Sequence, residues 1–300
     1  MKNLAPILVF TYKRLDTLKL AIASLQENKL ASESELFIFS DAAKFEKDKA
    51  QVSKIREYIK TITGFKNVHI TEAPNNKGLA KSIIEGVSEV INQYDKVIVL
   101  EDDLVTSRNF LFYMNQGLDS YKDHPKIFSI AGFSTVKGLE ASVFFTQRSS
   151  SWGWATWKDR WNQVDWEVKD YDVFLQDKSS RDKFYKVGSD LPGMLDEQMH
   201  GKINSWAIRW VYYQFRNGLY SVHPAQSKVI NIGFSTPEAT HTKEKFSRFK
   251  TKLDVSDHFD FIFPQEIKTD DSILKQFAKP YSFIERIKYK IINTLFGFIK

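Results

Sequence analysis

The stretch VIVLEDDLV (97–105) is a run of four apolar residues ending in three adjacent acids, Glu101, Asp102 and Asp103. Neighbouring carboxylates repel one another, so three in a row at the end of a strand-like run need a reason. They could bind a hard divalent cation such as Mg2+ or Mn2+, which takes oxygen ligands. They could act as general acid or base. They could also be only a solvated strand end, or cap the next helix. Other polar groups stand at matching places: Thr11, Lys13 and Arg14 around the end of PILVFTY (6–12), Ser40 and Asp41 closing ELFIFSD (35–41), and Asn75, Asn76 and Lys77 after NVHITEA (67–73).

The elements that must position these groups alternate. Behind PILVFTY, Leu18, Ala21, Ile22 and Leu25 keep helical spacing, with Asp16 as a possible cap. Ile55, Tyr58, Ile59 and Ile62 mark a second helix, and Leu79, Ile83, Val87, Val90 and Ile91 a third, before the strand KVIVLEDD (96–103). Strand–helix alternation of this length predicts an α/β fold with right-handed parallel units and helices on both faces of the sheet. The runs ILVF, LFIF and VIVL are apolar throughout, as strands buried on both faces require. Open sheets of this class bind ligands beyond the carboxyl ends of their strands, where the polar groups above fall.

Composition narrows the class. The 300 residues are 42% hydrophobic and 27% charged, without low-complexity tracts, as expected of a folded globular chain. With no cysteine, disulfides, thiolate metal sites and cysteine nucleophiles are excluded. Neither GxGxxG nor GxxxxGK[ST] follows any strand, so a dinucleotide fingerprint and a P-loop are absent. The net charge of +6 is concentrated at the end of the chain: Lys279, Arg286, Lys288, Lys290 and Lys300 face only Glu285 over 279–300. A nucleic-acid partner is therefore not expected. The apolar part of MKNLAPILVFTYKR is too short for a signal peptide, and no run is long enough for a transmembrane helix. Together these point to a cytoplasmic location.

PILVFTYKR, FIFSDA and VIVLEDDLVTSRNFLFYM together resemble the nucleotide-sugar half of GT-A fold glycosyltransferases, and in particular the N-acetylglucosaminyltransferase I type, whose motif is also Glu-Asp-Asp after a hydrophobic strand. The likeness covers roughly residues 4–120. Further on, SWGWATW, NSWAIRW and NIGFSTPEATHT resemble bacterial surface-polysaccharide sugar transferases. The resemblance implies a mostly parallel central sheet with helices on both faces. It also implies a uridine-diphosphate-sugar donor, a glycan or lipid-linked glycan acceptor, an inverting reaction and Mn2+ or Mg2+ as cofactor. Carried over by position, Phe10, Thr11 and Arg14 would line the donor site, Asp41 would accept a hydrogen bond from base or ribose, and Lys77 would lie near the donor. Glu101 and Asp102 would contact ribose or sugar, and Asp103 would ligate the metal. Thr240 and His241 would close over the diphosphate, with His241 as a possible metal ligand.

An inverting transfer also needs a base for the acceptor hydroxyl. In the enzymes this chain resembles, the base lies in a Trp-Asp-Asp-Trp-like segment; here the corresponding place reads Asn204–Ser205–Trp206, with no group that takes a proton at neutral pH. The nearest carboxylates are Asp196 and Glu197 in MLDEQMHGK, which become the base candidates, with Asp159 in WKDRW as a third. All seven tryptophans fall between Trp152 and Trp210. Trp152 and Trp154 could offer stacking faces to an acceptor sugar, and Gly153 between them a close backbone approach; the spacing of Trp154, Trp157 and Trp161 also suits a helix packed in the core.

The chain is thus expected to hold a nucleotide-sugar half (1–125), an acceptor half of the same domain (126–265) and a helical tail (266–300). In the tail, Ile284, Ile287, Ile291, Leu295 and Phe298 share one helical face beside Arg286, Lys288, Lys290 and Lys300. Such a helix can dock on its own domain or lie on anionic lipid, which would place the protein at the inner face of a membrane. Two rival functions stay open: a sugar nucleotidyltransferase, whose Gly-rich loop FTYKRLDT lacks, and a non-catalytic nucleotide- or glycan-binding relative.

Overall fold

A computed structural model of the chain describes residues 3–233 and 246–296. The first half alternates as expected: β1 (Ile7–Thr11), α1 (Leu15–Gln26), β2 (Glu35–Ser40), α2 (Lys49–Ile59), β3 (Asn67–Glu72), α3 (Leu79–Tyr94) and β4 (Lys96–Glu101). Then come β5 (Leu104–Thr106), α4 (Phe110–Tyr121), β6 (Ile127–Ala131), β7 (Val143–Thr146), β8 (Trp154–Trp157) and α5 (Lys158–Trp161). The chain continues with α6 (Tyr171–Gln176), α7 (Lys178–Val187), α8 (Leu191–Met199), α9 (Trp206–Arg216), β9 (Tyr220–Pro224), β10 (Val229–Asn231), α10 (Asp271–Ala278) and α11 (Phe283–Phe296).

Eight strands form one mixed sheet in the order β3-β2-β1-β4-β8-β6-β9-β7. The first four are mutually parallel, whereas β8 runs antiparallel to both β4 and β6. The sheet therefore takes strands from both halves of the chain. Strand alternation sends Ile7 and Val9 to one face, under α1, α2 and α4, and Leu8 and Phe10 to the other, under α3 and α9. A third apolar cluster, built by α6 to α9, includes Phe174, Phe184, Leu195 and Tyr212.

Two local expectations change. Asp16 is not a cap: α1 starts at Leu15, and Asp16 sits in its first turn, where a negative charge still favours the helix. The residues WATW form strand β8, with Trp154 opposite Val99 and Trp157 opposite Lys96, so the tryptophan spacing straddles a strand and a short helix. A short apolar run bounded by polar residues suits either state, and sheet pairing decided this one.

Candidate functional site

β1 and β4 lie side by side with Phe10 opposite Glu101, so both strands release the chain at the same edge. The Asp102 amide extends that ladder to the Phe10 carbonyl at 3.1 Å. Its carboxylate turns back onto β1: Oδ2 accepts from the Thr11 hydroxyl at 2.9 Å and the Tyr12 amide at 3.2 Å. Arg14, at the entry to α1, forks across the acids, with Nη2 2.5 Å from Asp102 Oδ1 and Nη1 2.7 Å from Asp103 Oδ2. The other oxygen of Asp103, Oδ1, is buried and has no hydrogen-bond partner among the described residues. The sequence distance between these groups vanishes because neighbouring parallel strands end together.

Arg14 is the cation that pairs with this cluster of three acids. Burial, reinforced by Asp103 and Asp102, pushes the Glu101 carboxyl up to about 8, so it is largely protonated at neutral pH. Burial raises the Asp102 carboxyl too, against the pull of Arg14. Burial disfavours the charge on Arg14, but Asp102 and Asp103 outweigh it and hold the guanidinium charged.

Among the described residues, no three His, Cys, Asp or Glu side chains gather as a metal cage. The fit to a hard cation rests on less: the buried Asp103 oxygen that has no hydrogen-bond partner among the described residues. That suffices for Mg2+ or Mn2+, which use one or two carboxylates and take the rest of their shell from water and substrate phosphates. His241 and Thr240 lie outside the described residues.

Asp41 has a full set of internal partners. Its Oδ1 accepts from the Ala42 and Lys77 amides, and Oδ2 from the Gly78 amide and the Asn76 side chain, each at 2.9 Å. A carboxylate has about four acceptor directions, and here all are used to fold the loop that starts α3. Gly78 takes φ +74° in that loop, which a residue with a side chain rarely adopts. The Lys77 ammonium pairs with Glu85 at 2.7 Å. Phe10 lies in the core, stacked on Phe39 at 4.9 Å between centroids, and a β-carbon at Gly86 would press on its ring.

The residues expected at the acceptor divide. Trp154 is fully buried among Trp161, Trp206 and Trp210, and so builds core. Trp152 is partly exposed and packs edge-on against Phe133 and Phe249. Gly153 does need a close approach, at φ +61°, but its neighbours are Val229 and Phe110 of this same chain. Of the base candidates, Asp196 is held by both guanidinium nitrogens of Arg181, at 3.0 and 2.8 Å, and by the Tyr171 hydroxyl at 3.0 Å. The Arg181 hydrogen bonds outweigh partial burial and hold its carboxyl below the usual range, which makes it a poor base. Glu197 is exposed, and among the described residues its carboxylate has no ion pair or hydrogen bond. The end of its helix meets the start of α9, where Gln198 accepts from the Ser205 amide at 2.6 Å, and the first residue of α9, Trp206, stacks on Trp154 beside β4. Asp159 forms an exposed pair with its neighbour Arg160. Ser205 caps α9, and Asn204 accepts from Arg209 at 3.2 Å.

Sequence reasoning missed Gly233. β10 pairs antiparallel with β5, and the Ile232 amide donates to the Asp103 carbonyl at 2.9 Å, which carries Gly233 against the acids. A β-carbon at Gly233 would fall on Asp103 Oδ2 and lie 2.6 Å from Arg14 Nη1. Nothing in NIGF signals a partner so far back along the chain. Asp48 was missed as well: it is buried, accepts from the Tyr12 hydroxyl at 2.8 Å and pairs with Lys13 at 2.9 Å, fixing the turn after β1.

No protein-family model and no curated protein matches the sequence. Solved structures do align. S. aureus TarS 1–349 covers 77% of this chain and 61% of its own at 11% identity, with a TM-score of 0.45. The mannosyltransferase PcManGT from Pyrobaculum calidifontis, in complex with GDP-Man and Mn2+, covers 53% and 46% at 12% identity and a TM-score of 0.38. The glycosyltransferase GlyE in Streptococcus pneumoniae covers 73% and 45% at 13% identity and a TM-score of 0.36. This chain spans less than two thirds of each of those chains. Identities and TM-scores this low set neither its substrate nor its reaction.

Proposed function

We propose that this protein is a metal-dependent, inverting glycosyltransferase. In this reading it moves a hexosyl or N-acetylhexosaminyl group from a uridine-diphosphate sugar to a glycan, or to a lipid-linked glycan, in surface-polysaccharide synthesis. The observation that carries the reading is the buried Asp103 Oδ1, without a hydrogen-bond partner among the described residues, beside Arg14 at the joint carboxyl edge of β1 and β4. Asp103 would hold the Mn2+ or Mg2+, and the ion, when bound, would supply positive charge to the leaving diphosphate. Arg14 adds a fixed cation facing the same space, and Thr11 and the Tyr12 amide hold Asp102 in register. Glu101, at the same strand end, would contact a ribose or sugar oxygen. Glu197, whose carboxylate has no partner among the described residues, is the base that would take the acceptor proton, and Trp152 the aromatic face for the acceptor.

Titration calorimetry of UDP with and without Mn2+ tests this. Wild-type protein should bind UDP in a metal-dependent way. Asp103→Ala should abolish that dependence and lower turnover by about 10²–10³-fold, the range for removing one group that stabilises developing charge. UDP binding indifferent both to EDTA and to Asp103→Ala would overturn the assignment.

A further inference from the structure

α11 wears its polarity inside out. Tyr289 is buried against the domain, and Glu285, Arg286, Ile292 and Asn293 are half-buried on the same side. Asn293 anchors the helix by bonding the backbone of Phe246 twice: it accepts from the amide at 2.9 Å and donates to the carbonyl at 3.0 Å. The opposite side carries the aliphatic residues. Ile284 is 76% exposed, Ile287 42%, Ile291 52% and Leu295 62%, and Phe283 at the head of the row is 58% exposed. Single exposed apolar residues are ordinary, but a row at positions i, i+3, i+7 and i+11 is a continuous stripe along one helix. A helix that only docked on its own domain would turn this stripe inward.

We propose that this face of α11 inserts into the interface of an anionic lipid bilayer. The charge around the stripe selects that occupant. Lys288 and Lys290 are exposed beside it and Lys279 precedes it, while Glu285, the acid of the helix, is half-buried and reaches Lys288 at 3.5 Å. A second copy of the chain packed stripe to stripe would bring two basic rows together; a surface of anionic headgroups neutralises them. The described part of the helix has 14 residues, about 21 Å at 1.5 Å per residue, which falls short of a hydrocarbon core of about 30 Å. Among the described residues no helix is long and apolar enough to cross a membrane. α11 therefore lies along the plane, with its aliphatic side chains among the acyl chains and its lysines at the headgroups.

Flotation of the full-length protein with phosphatidylglycerol–phosphatidylcholine vesicles tests this independently of any transferase activity. Wild-type protein should float with the anionic vesicles and much less with pure phosphatidylcholine. Ile287→Glu combined with Ile291→Glu should abolish flotation, while thermal melting and circular dichroism stay as in the wild type because both side chains point outward. Lys288→Glu and Lys290→Glu should each weaken partitioning about fivefold or more, and high salt should reproduce the loss. Unchanged flotation of the double isoleucine variant would overturn the proposal. So would a wild-type protein that ignores vesicles and sediments as a dimer that the same variant dissociates.

Discussion

Replacing Asp41 by Asn separates two roles that a carboxylate at a strand end can have. If Asp41 served the ligand, the variant would fold normally and bind nucleotide poorly. The structure gives it four internal donors, two on each oxygen: Ala42 and Lys77 amides on one, Gly78 amide and Asn76 side chain on the other. An asparagine has one oxygen, so either orientation of its amide sets an NH2 group against two donors. Two hydrogen bonds to a charged acceptor are lost, each worth about 1.5–3 kcal/mol. With some relaxation of the loop, the expected cost is about 3–5 kcal/mol. Unfolding entropy near 2.1 cal/mol/K per residue converts this, for a chain of this length, to a fall in Tm of about 5–8 °C. Differential scanning calorimetry reads the shift, and UDP titration of the variant, kept below its lowered transition, reads the binding. A normal Tm together with a large loss of UDP affinity would refute the reasoning and return Asp41 to the ligand.

Three further outcomes are expected. Glu197→Gln should lower kcat about 10²–10⁴-fold with little change in stability, whereas Asp196→Asn should mainly lower Tm by loosening Arg181; steady-state kinetics beside thermal melts distinguishes them, and the opposite pattern would exchange their roles. Gly188→Ala should destabilise by about 3–5 kcal/mol, because its β-carbon would displace the buried Arg148 guanidinium from its two 2.9 Å contacts with Asp190 and from the Tyr281 ring; urea titration measures this. The third concerns acid. Asp254 is buried, which raises its carboxyl, but hydrogen bonds from Lys228 and Asn109 outweigh burial and hold it down to about 2. Its contribution, about 2 kcal/mol, is present above its unfolded pKa near 4 and is lost as pH falls from about 4 to 2, so the stability gap between wild type and Asp254→Asn should narrow over that window.

The parallel half of the sheet was legible because ILVF, LFIF and VIVL are apolar on both sides, a pattern that strands covered by helices on both faces produce. The meeting of Thr11, Arg14, Asp102 and Asp103 was legible for the same reason: adjacent parallel strands bring their ends together. What lay hidden depended on contacts across the chain. Asp196 and Glu197 are neighbours in sequence, and it is Arg181 and Tyr171 that tie down Asp196, while the Glu197 carboxylate has no partner among the described residues. Gly153 did signal a close approach, but a glycine cannot say whether the approaching group is a ligand or, as here, Val229 and Phe110. Trp154 is apolar in any reading, and its burial follows from the pairing of β8 with β4, which its local pattern does not encode.

That burial has a spectroscopic consequence. Trp154, Trp161, Trp166, Trp206 and Trp210 form one array, with centroids 4.7 to 6.2 Å apart along its contacts. Indoles this close couple their transitions and pass excitation among themselves, so the group absorbs and emits as a unit. The array joins β8 to α5 and α9, and a small rotation of either helix against the sheet would alter near-ultraviolet circular dichroism well before secondary structure changes. Trp152 packs instead on Phe133 and Phe249. Trp152→Phe would therefore leave the coupled signal in place and remove the emission of a partly exposed indole outside the array, giving an unlabelled optical readout of its surroundings.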